Sequence, residues 1–404
     1  MISSPPFRNL STMLKSESFF RYLLLSSFFI IPLWPKLSVK ILILTMVIGF
    51  VSRNFHFSIN RLFNISWDIL LYLFVMIIGL LWSSNLMTGL SVLETSFALL
   101  AVPVIFTYLT DNRDWKSTKV PEFFIYGVVI ASLVCLIVAL SSYASTGKID
   151  AFFYYSFTDA INSHPTYHAY YIIFSITIIL YALFNDIVKT KLVIVAIVVL
   201  FLFFILIFTS GRTAFAALIL VFSYFILKAI LEPLSLNRWI TIALIVVMLF
   251  GLFVMYAGNF YFEVAIGGDY WERISLWRAG ILANPNPFIG VGTGDYKEIL
   301  NAYYLANGMK EFADGSYNTH NQLVQVYLVH GIIGLVLIII VLTRPIYLAV
   351  KNRKVLGVLI YFPFIVYGFN EVFLGRYQGV VFLAFLHQFV VLNAKQESQK
   401  YITD

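Results

Sequence analysis

Apolar runs of about 18 or more residues recur along the whole length of this chain, and no other feature constrains its fold so tightly. A segment lying in hydrocarbon must satisfy its backbone N–H and C=O groups internally, and runs of this length do so as helices. The chain has 404 residues, 60% of them hydrophobic and only 12% charged, with a mean hydropathy of +0.88. A soluble domain has no interior for so much apolar surface. The expectation is an all-α polytopic membrane protein, a single integral domain over 1–404 with about twelve transmembrane helices. They fall near 19–34, 38–52, 66–83, 92–109, 122–143, 164–184, 192–209, 213–231, 239–257, 320–343, 355–371 and 377–394. The first run has no small-residue cleavage site after it and reads as a retained span, not a signal peptide. The single cysteine, Cys135, lies in an apolar run, so neither a disulfide framework nor a cysteine-based metal site forms within one chain.

Orientation follows from Lys and Arg. With the N-terminus in the cytoplasm, Arg8, Lys15, Arg21, Arg53, Arg61, Arg113, Lys116, Lys119, Lys189 and Lys191 fall inside. Lys228, Arg238, Arg344, Lys351, Arg353, Lys354, Lys395 and Lys400 follow on the same side. That is the positive-inside pattern at alternate connections, and it puts both termini in the cytoplasm. Lys36 and Lys40, at a short outer turn, are the exceptions. The net charge of +7 is therefore mostly a topology signal and does not argue for nucleic acid.

The outer connections carry the unusual polar residues. The largest, 258–319, lies between the ninth and tenth spans, and 144–163, the Ser210-Gly211-Arg212 turn and the stretch from Asn370 to Gln378 face the same way. Loops above a rigid helical scaffold are where binding and catalysis tend to sit. Arg212 ends an outer turn where its guanidinium would fork onto phosphate oxygens, with Gly211 admitting close approach; a snorkelling interfacial arginine is the plainer alternative. In the large loop Arg273 and Trp277 are four apart and would share a helix face, with Arg278 beside them. An interfacial helix anchored by its tryptophans would hold Arg273 at phosphate height.

Pro287, Gly290, Gly292 and Gly294 form a glycine-rich segment, but no Gly-Lys-Ser/Thr follows, so a shaped turn is expected and not a nucleotide loop. His320 stands where the loop meets a span, flanked by Asn318 and Asn321 as orienting groups, and an ordinary imidazole pKa suits general-base work. His164 and His168 open another outer span at i, i+4. A metal would want that spacing, but no partnering glutamate motif accompanies it, and a sugar or acceptor contact is the better reading. His330 and His387 read as packed inside helices, and Asp68, Glu94 and Glu371 as span-end carboxylates.

These motifs together resemble the O-antigen ligase and O-antigen polymerase superfamily of bacterial envelope glycosyltransferases. The matching residues are Ser210 and Arg212, Arg273 with Trp277, and the Pro-x-x-Gly-x-Gly of Pro287, Gly290 and Gly292. His320-Asn321 with Gly331 and Gly334 is the most specific match, and its spacing fits the ligase branch. One departure is Gly211 between Ser210 and Arg212, where many members have Ser-Arg adjacent. The resemblance implies a GT-C-like membrane fold in the bacterial inner membrane, with its cavity roofed by the large periplasmic loop. It implies an undecaprenyl-diphosphate-linked glycan as donor, with Arg212 and Arg273 on the diphosphate and His320 activating the acceptor hydroxyl. Ser210, Arg278, Asn321, His164 and His168 become supporting or substrate contacts. Lipid A-core is the expected acceptor of a ligase and a second lipid-linked glycan that of an O-antigen or exopolysaccharide polymerase. No metal or other cofactor is called for, because fixed arginines can stabilise the leaving diphosphate. A lipid-glycan flippase is the rival from another class. It would want ionisable residues at the bilayer midplane, where these spans read as nearly free of charge.

Overall fold

The computed structural model describes residues 17–51, 57–110, 119–187, 191–209, 212–233, 235–257 and 270–395. Ser210, Gly211, 258–269 and both chain ends lie outside the described residues. All regular structure among those described is helical. The helices are α1 (Glu17–Ile30), α2 (Pro35–Val51), α3 (Ile59–Ile78), α4 (Leu86–Ser96), α5 (Ala98–Thr110) and α6 (Val120–Thr146). There follow α7 (Tyr154–Thr158), α8 (Pro165–Phe184), α9 (Leu192–Phe208), α10 (Arg212–Leu231) and α11 (Leu236–Ala257). The chain ends with α12 (Tyr270–Leu282), α13 (Tyr296–Ala306), α14 (Lys310–Asp314), α15 (Gln322–Lys351), α16 (Val355–Gly368) and α17 (Tyr377–Lys395). A helix stands at every position where a span was expected. Among the described residues, eight helical stretches are long and apolar enough to cross a membrane, and 18–30, 192–208 and 355–368 are apolar but shorter.

Helix ends follow local chemistry. Ser58 caps α3 by accepting the Arg61 N–H, so this helix starts well before the hydropathy rise at 66. Gly147 closes α6 in the left-handed conformation, and Pro165 occupies the first turn of α8, where its missing N–H costs nothing. The centre of the bundle is α17, packed against α2, α3, α5, α15 and α16, with α8 beside it. These two helices are the most buried of the long ones and apolar on all sides, as a helix surrounded by others must be. Phe124, Tyr170, Phe174, Phe382 and Phe385 interlock where α6, α8 and α17 meet.

One expectation about the interior is corrected. Asp68 is fully buried near the middle of α3, with one oxygen 2.6 Å from Arg344 Nη1 and the other 2.7 Å from His387 Nε2. Arg344 had been placed in a loop beyond 343, but α15 runs on to Lys351 and carries it inward. Gln388 and Ser66 extend the network. A lone buried charge is costly, so these groups stay inside by closing on one another.

The segment following α12 is spliced into α15. At Gly331 (φ 60°, ψ −156°) the helix breaks. The Leu328 and Val329 carbonyls, which would have bonded Ile332 and Ile333, instead accept the N–H groups of Val291 and Gly292 at 3.0 and 2.9 Å. In return, Ile332 and Ile333 donate to the carbonyls of Pro287 and Phe288 at 2.8 and 3.3 Å. Backbone approaches this close exclude side chains: a Cβ on Gly290 would sit 2.4 Å from the Val329 backbone, and one on Gly331 2.3 Å from that of Phe288. The glycines expected to shape a turn therefore shape a plug. Beyond it, Leu276, Ala279, Val291, Leu300 and Tyr304 form a small separate core against Leu328.

Candidate active site

The His320 loop is built from its own amides. Asn318 Oδ1 accepts the His320 N–H at 2.8 Å, and Asn321 caps α15 by accepting the N–H groups of Leu323 and Val324. Asn321 Nδ2 also reaches the Phe369 carbonyl at 3.3 Å. Both polar atoms of Asn321 are thus engaged in positioning the loop. Thr319, fully buried, hydrogen-bonds Gln325 and the Asn321 carbonyl beneath it. His320 itself adopts φ 45°, a left-handed conformation that a non-glycine residue holds only under constraint. Its ring lies 5.9 Å from that of Tyr317, and among the described residues its nitrogens take no hydrogen bond.

Two arginines face this imidazole. Arg273, on α12, donates from Nη1 to Asn370 Oδ1 at 2.7 Å and to the Asn370 carbonyl at 3.3 Å. Arg376, just before α17, is the second. Burial first, then Arg273, then Arg376 hold His320 down at about 4, so the ring is neutral and able to accept a proton at neutral pH. Glu371 is buried; burial raises its carboxyl pKa, against the Val372 N–H and the charges of the same two guanidiniums. Tyr154 and Tyr155 complete the wall, and the charges of Glu371, Arg273 and Arg376 reach them.

His164 joins this cluster. As the cap of α8 it accepts the Thr166 N–H through Nδ1 at 3.3 Å, which leaves Nε2 to donate to the Tyr155 hydroxyl at 2.7 Å. Burial, then Arg376 and His320, lower its pKa to about 3. His168 does not join it: fully buried inside the bundle, it meets Ser132 at 3.1 Å through Nε2. The two histidines share no ligand position, because the first stands outside the helix that carries the second. Arg278 is exposed on α12. Arg212 opens α10, but its side chain lies outside the description, as does Ser210. The sequence reading passed over Arg376, Asn370 and the acid role open to Glu371. Their signal was a polar stretch with both charge signs between two spans, placed among the outer connections but given no role.

The cluster combines a neutral imidazole whose ring takes no hydrogen bond among the described residues, the Arg273 guanidinium held on Asn370, an exposed Arg376 and one buried carboxyl at one end of the bundle. The other ends of α15 and α17 carry Lys351 and Lys395. No group of three or more metal-ligating side chains occurs among the described residues. A comparison with curated proteins finds no match. Residues 196–339 match the family model described as O-antigen ligase, a stretch that takes in Arg212, Arg273, His320 and the glycine plug. Over that stretch, about a third of the chain, the protein is similar to the O-antigen ligase family.

Proposed function

We propose that this protein is an O-antigen ligase that transfers an undecaprenyl-diphosphate-linked glycan onto lipid A-core at the periplasmic face of the inner membrane. The observation that carries the reading is the environment of His320: a strained, neutral imidazole whose ring nitrogens take no hydrogen bond among the described residues, within the charge of Arg273 and Arg376. In the proposed step His320 takes the proton of the acceptor hydroxyl. The hydroxyl oxygen attacks the anomeric carbon, and the C–O bond to the diphosphate breaks with its electron pair going to the leaving group. Arg273 and Arg376, together with Arg212, stabilise the charge that develops there. The asymmetry of Lys and Arg supports placing this end of the bundle outside the cytoplasm, with 258–319 as the periplasmic loop.

The test is transfer by purified protein in nanodiscs, supplied with lipid-linked glycan and either lipid A-core or a second lipid-linked glycan. Product on lipid A-core is expected; lengthened lipid-linked glycan would make the enzyme a polymerase instead. His320→Gln should retain expression and thermal stability while transfer falls by roughly 10²- to 10⁴-fold, the usual worth of a general base. Normal turnover by that variant would remove His320 from the mechanism.

A further inference from the structure

A cavity of about 150 Å³ lies between α4, the start of α13 and the first turns of α15. Its α4 wall is a polar stripe: Thr88, Ser91 and Thr95 are spaced by three and four and share one helix face. Across from them stand Gln322 and Gln325 of α15. Both amide oxygens are engaged, Gln322 Oε1 by the Leu374 N–H at 2.9 Å and Gln325 Oε1 by the Thr319 hydroxyl at 3.1 Å. The amide nitrogens remain to donate. Gln322 is 1% exposed, and its Nε2 has no partner among the described residues.

His330 also lines this space. Its Nε2 is 3.2 Å from the Thr293 hydroxyl, whose own proton goes to the Met76 carbonyl at 2.6 Å. The nitrogen facing Thr293 is therefore the protonated one, and the unpartnered Nδ1 is an acceptor. Burying a donor and an acceptor without partners opposes folding, so the chain retains polarity here at a cost to its stability.

Size and lining select the ligand. A cavity of about 150 Å³ accepts one six-membered ring. Hydroxyls, amide donors and an imidazole acceptor match the hydroxyls of a sugar, while Met76, Val326 and Val329 offer apolar surface to its C–H face. Among the described lining residues the only charge is Lys297, which is exposed, so the ligand is neutral and not a phosphate. Val372, Leu374 and Gly375 form another wall, in the segment that carries Glu371 and Arg376, and Gln322 follows His320 by two residues. We propose that this cavity is a subsite for one neutral pyranose ring of the glycan, an inference that rests on the glycosyl-transfer reading above.

Full-length protein in nanodiscs is titrated with undecaprenyl diphosphate, with the same lipid bearing one N-acetylglucosamine, and with the lipid-linked glycan from the host. Ser91→Phe fills the cavity from an exposed position. Gln322→Glu keeps an acceptor for the Leu374 N–H and removes the amide donors; if it does not fold, Ser91→Phe decides alone. The sugar-free lipid should bind wild type and variants equally, while the variants lose roughly 10-fold or more in affinity for the glycan, the worth of one or two hydrogen bonds. If that loss appears instead as a raised KM for the acceptor, the ring belongs to the acceptor, and the subsite stands. Unchanged affinities and KM values in both variants overturn the subsite and leave the proposed function untouched. Failure of the wild type to bind sugar-free undecaprenyl diphosphate overturns the proposed function, and the subsite with it.

Discussion

An ordinary imidazole protonates near pH 6.5, whereas His320 is held at about 4 by burial, Arg273 and Arg376. The difference has a measurable consequence. At pH 5.5 an imidazole of ordinary pKa is about 90% protonated, and one at 4 only about 3%. The free enzyme therefore keeps nearly all of its base, and kcat/KM at pH 5.5 should stay within about twofold of its value at pH 7.5, where an ordinary histidine would lose about tenfold. Two of the three causes are guanidinium charges, which a bound diphosphate offsets. With donor saturating, the acid limb of kcat should accordingly lie at higher pH than that of kcat/KM. Arg376→Gln removes one of those charges and should raise the limb of kcat/KM in the same direction, though burial keeps it below 6.5. The assay is initial transfer rate between pH 4 and 8 in nanodiscs, with His320→Gln as baseline. A wild-type limb in kcat/KM at pH 6.5 refutes the electrostatic argument. A limb that persists unchanged in the residual activity of His320→Gln assigns it to another group, with Glu371 the first to test.

Arg273→Lys keeps the charge but loses the planar fork that reaches Asn370, and transfer should fall at least about 10-fold with the fold intact; Arg212→Lys should do the same, and near-normal rates in both would reduce them to interfacial arginines. Gly290→Ala should lower stability in a detergent melt by more than about 2 kcal/mol, since a left-handed φ is joined by a backbone clash, whereas Gly308→Ala, with a similar φ of 72° and open space around it, should lose only about 1 kcal/mol. Equal losses at the two glycines would mean that the plug tolerates a side chain. A cysteine at Gly308, in a Cys135→Ser background, should react with an impermeant maleimide from outside the inner membrane, and labelling only after permeabilisation would reverse the proposed orientation.

The positions of the helices were legible because each apolar run announces its own helix, whatever its neighbours do. What escaped were relations between distant residues. Asp68 and His387 are 319 positions apart, and only the packing of α3 against α17 makes them a pair. His164 and His168 part for a local reason: the i, i+4 rule holds inside a helix, and His164 is the cap, turned back onto Thr166. Arg376 was hidden by its setting in a short polar connection, where a positive charge looks interfacial until α12 brings Arg273 to the same loop. The Gly-x-Gly and Gly-x-x-Gly segments were each noticed, but nothing in the spacing says that one fills the break in the other. Lys36 and Lys40, the exceptions to the charge pattern, line a small cavity with Glu94 and Tyr377.

The plug in α15 also makes a lever. Residues 322–330 form a short head that meets the body of the helix at Gly331, and His320 stands at the far end of that head. Nine helical residues at 1.5 Å each give an arm of at least about 14 Å, so a tilt of about 4° at the break swings the imidazole by about 1 Å. Misplacement on that scale is worth about 10²-fold in rate. Whatever holds the angle at Gly331 thus holds the aim of the base, and the two exchanged pairs of backbone hydrogen bonds are what hold it. A glycine-plug variant that still folds would then behave as an enzyme with every reacting group present and the base out of line.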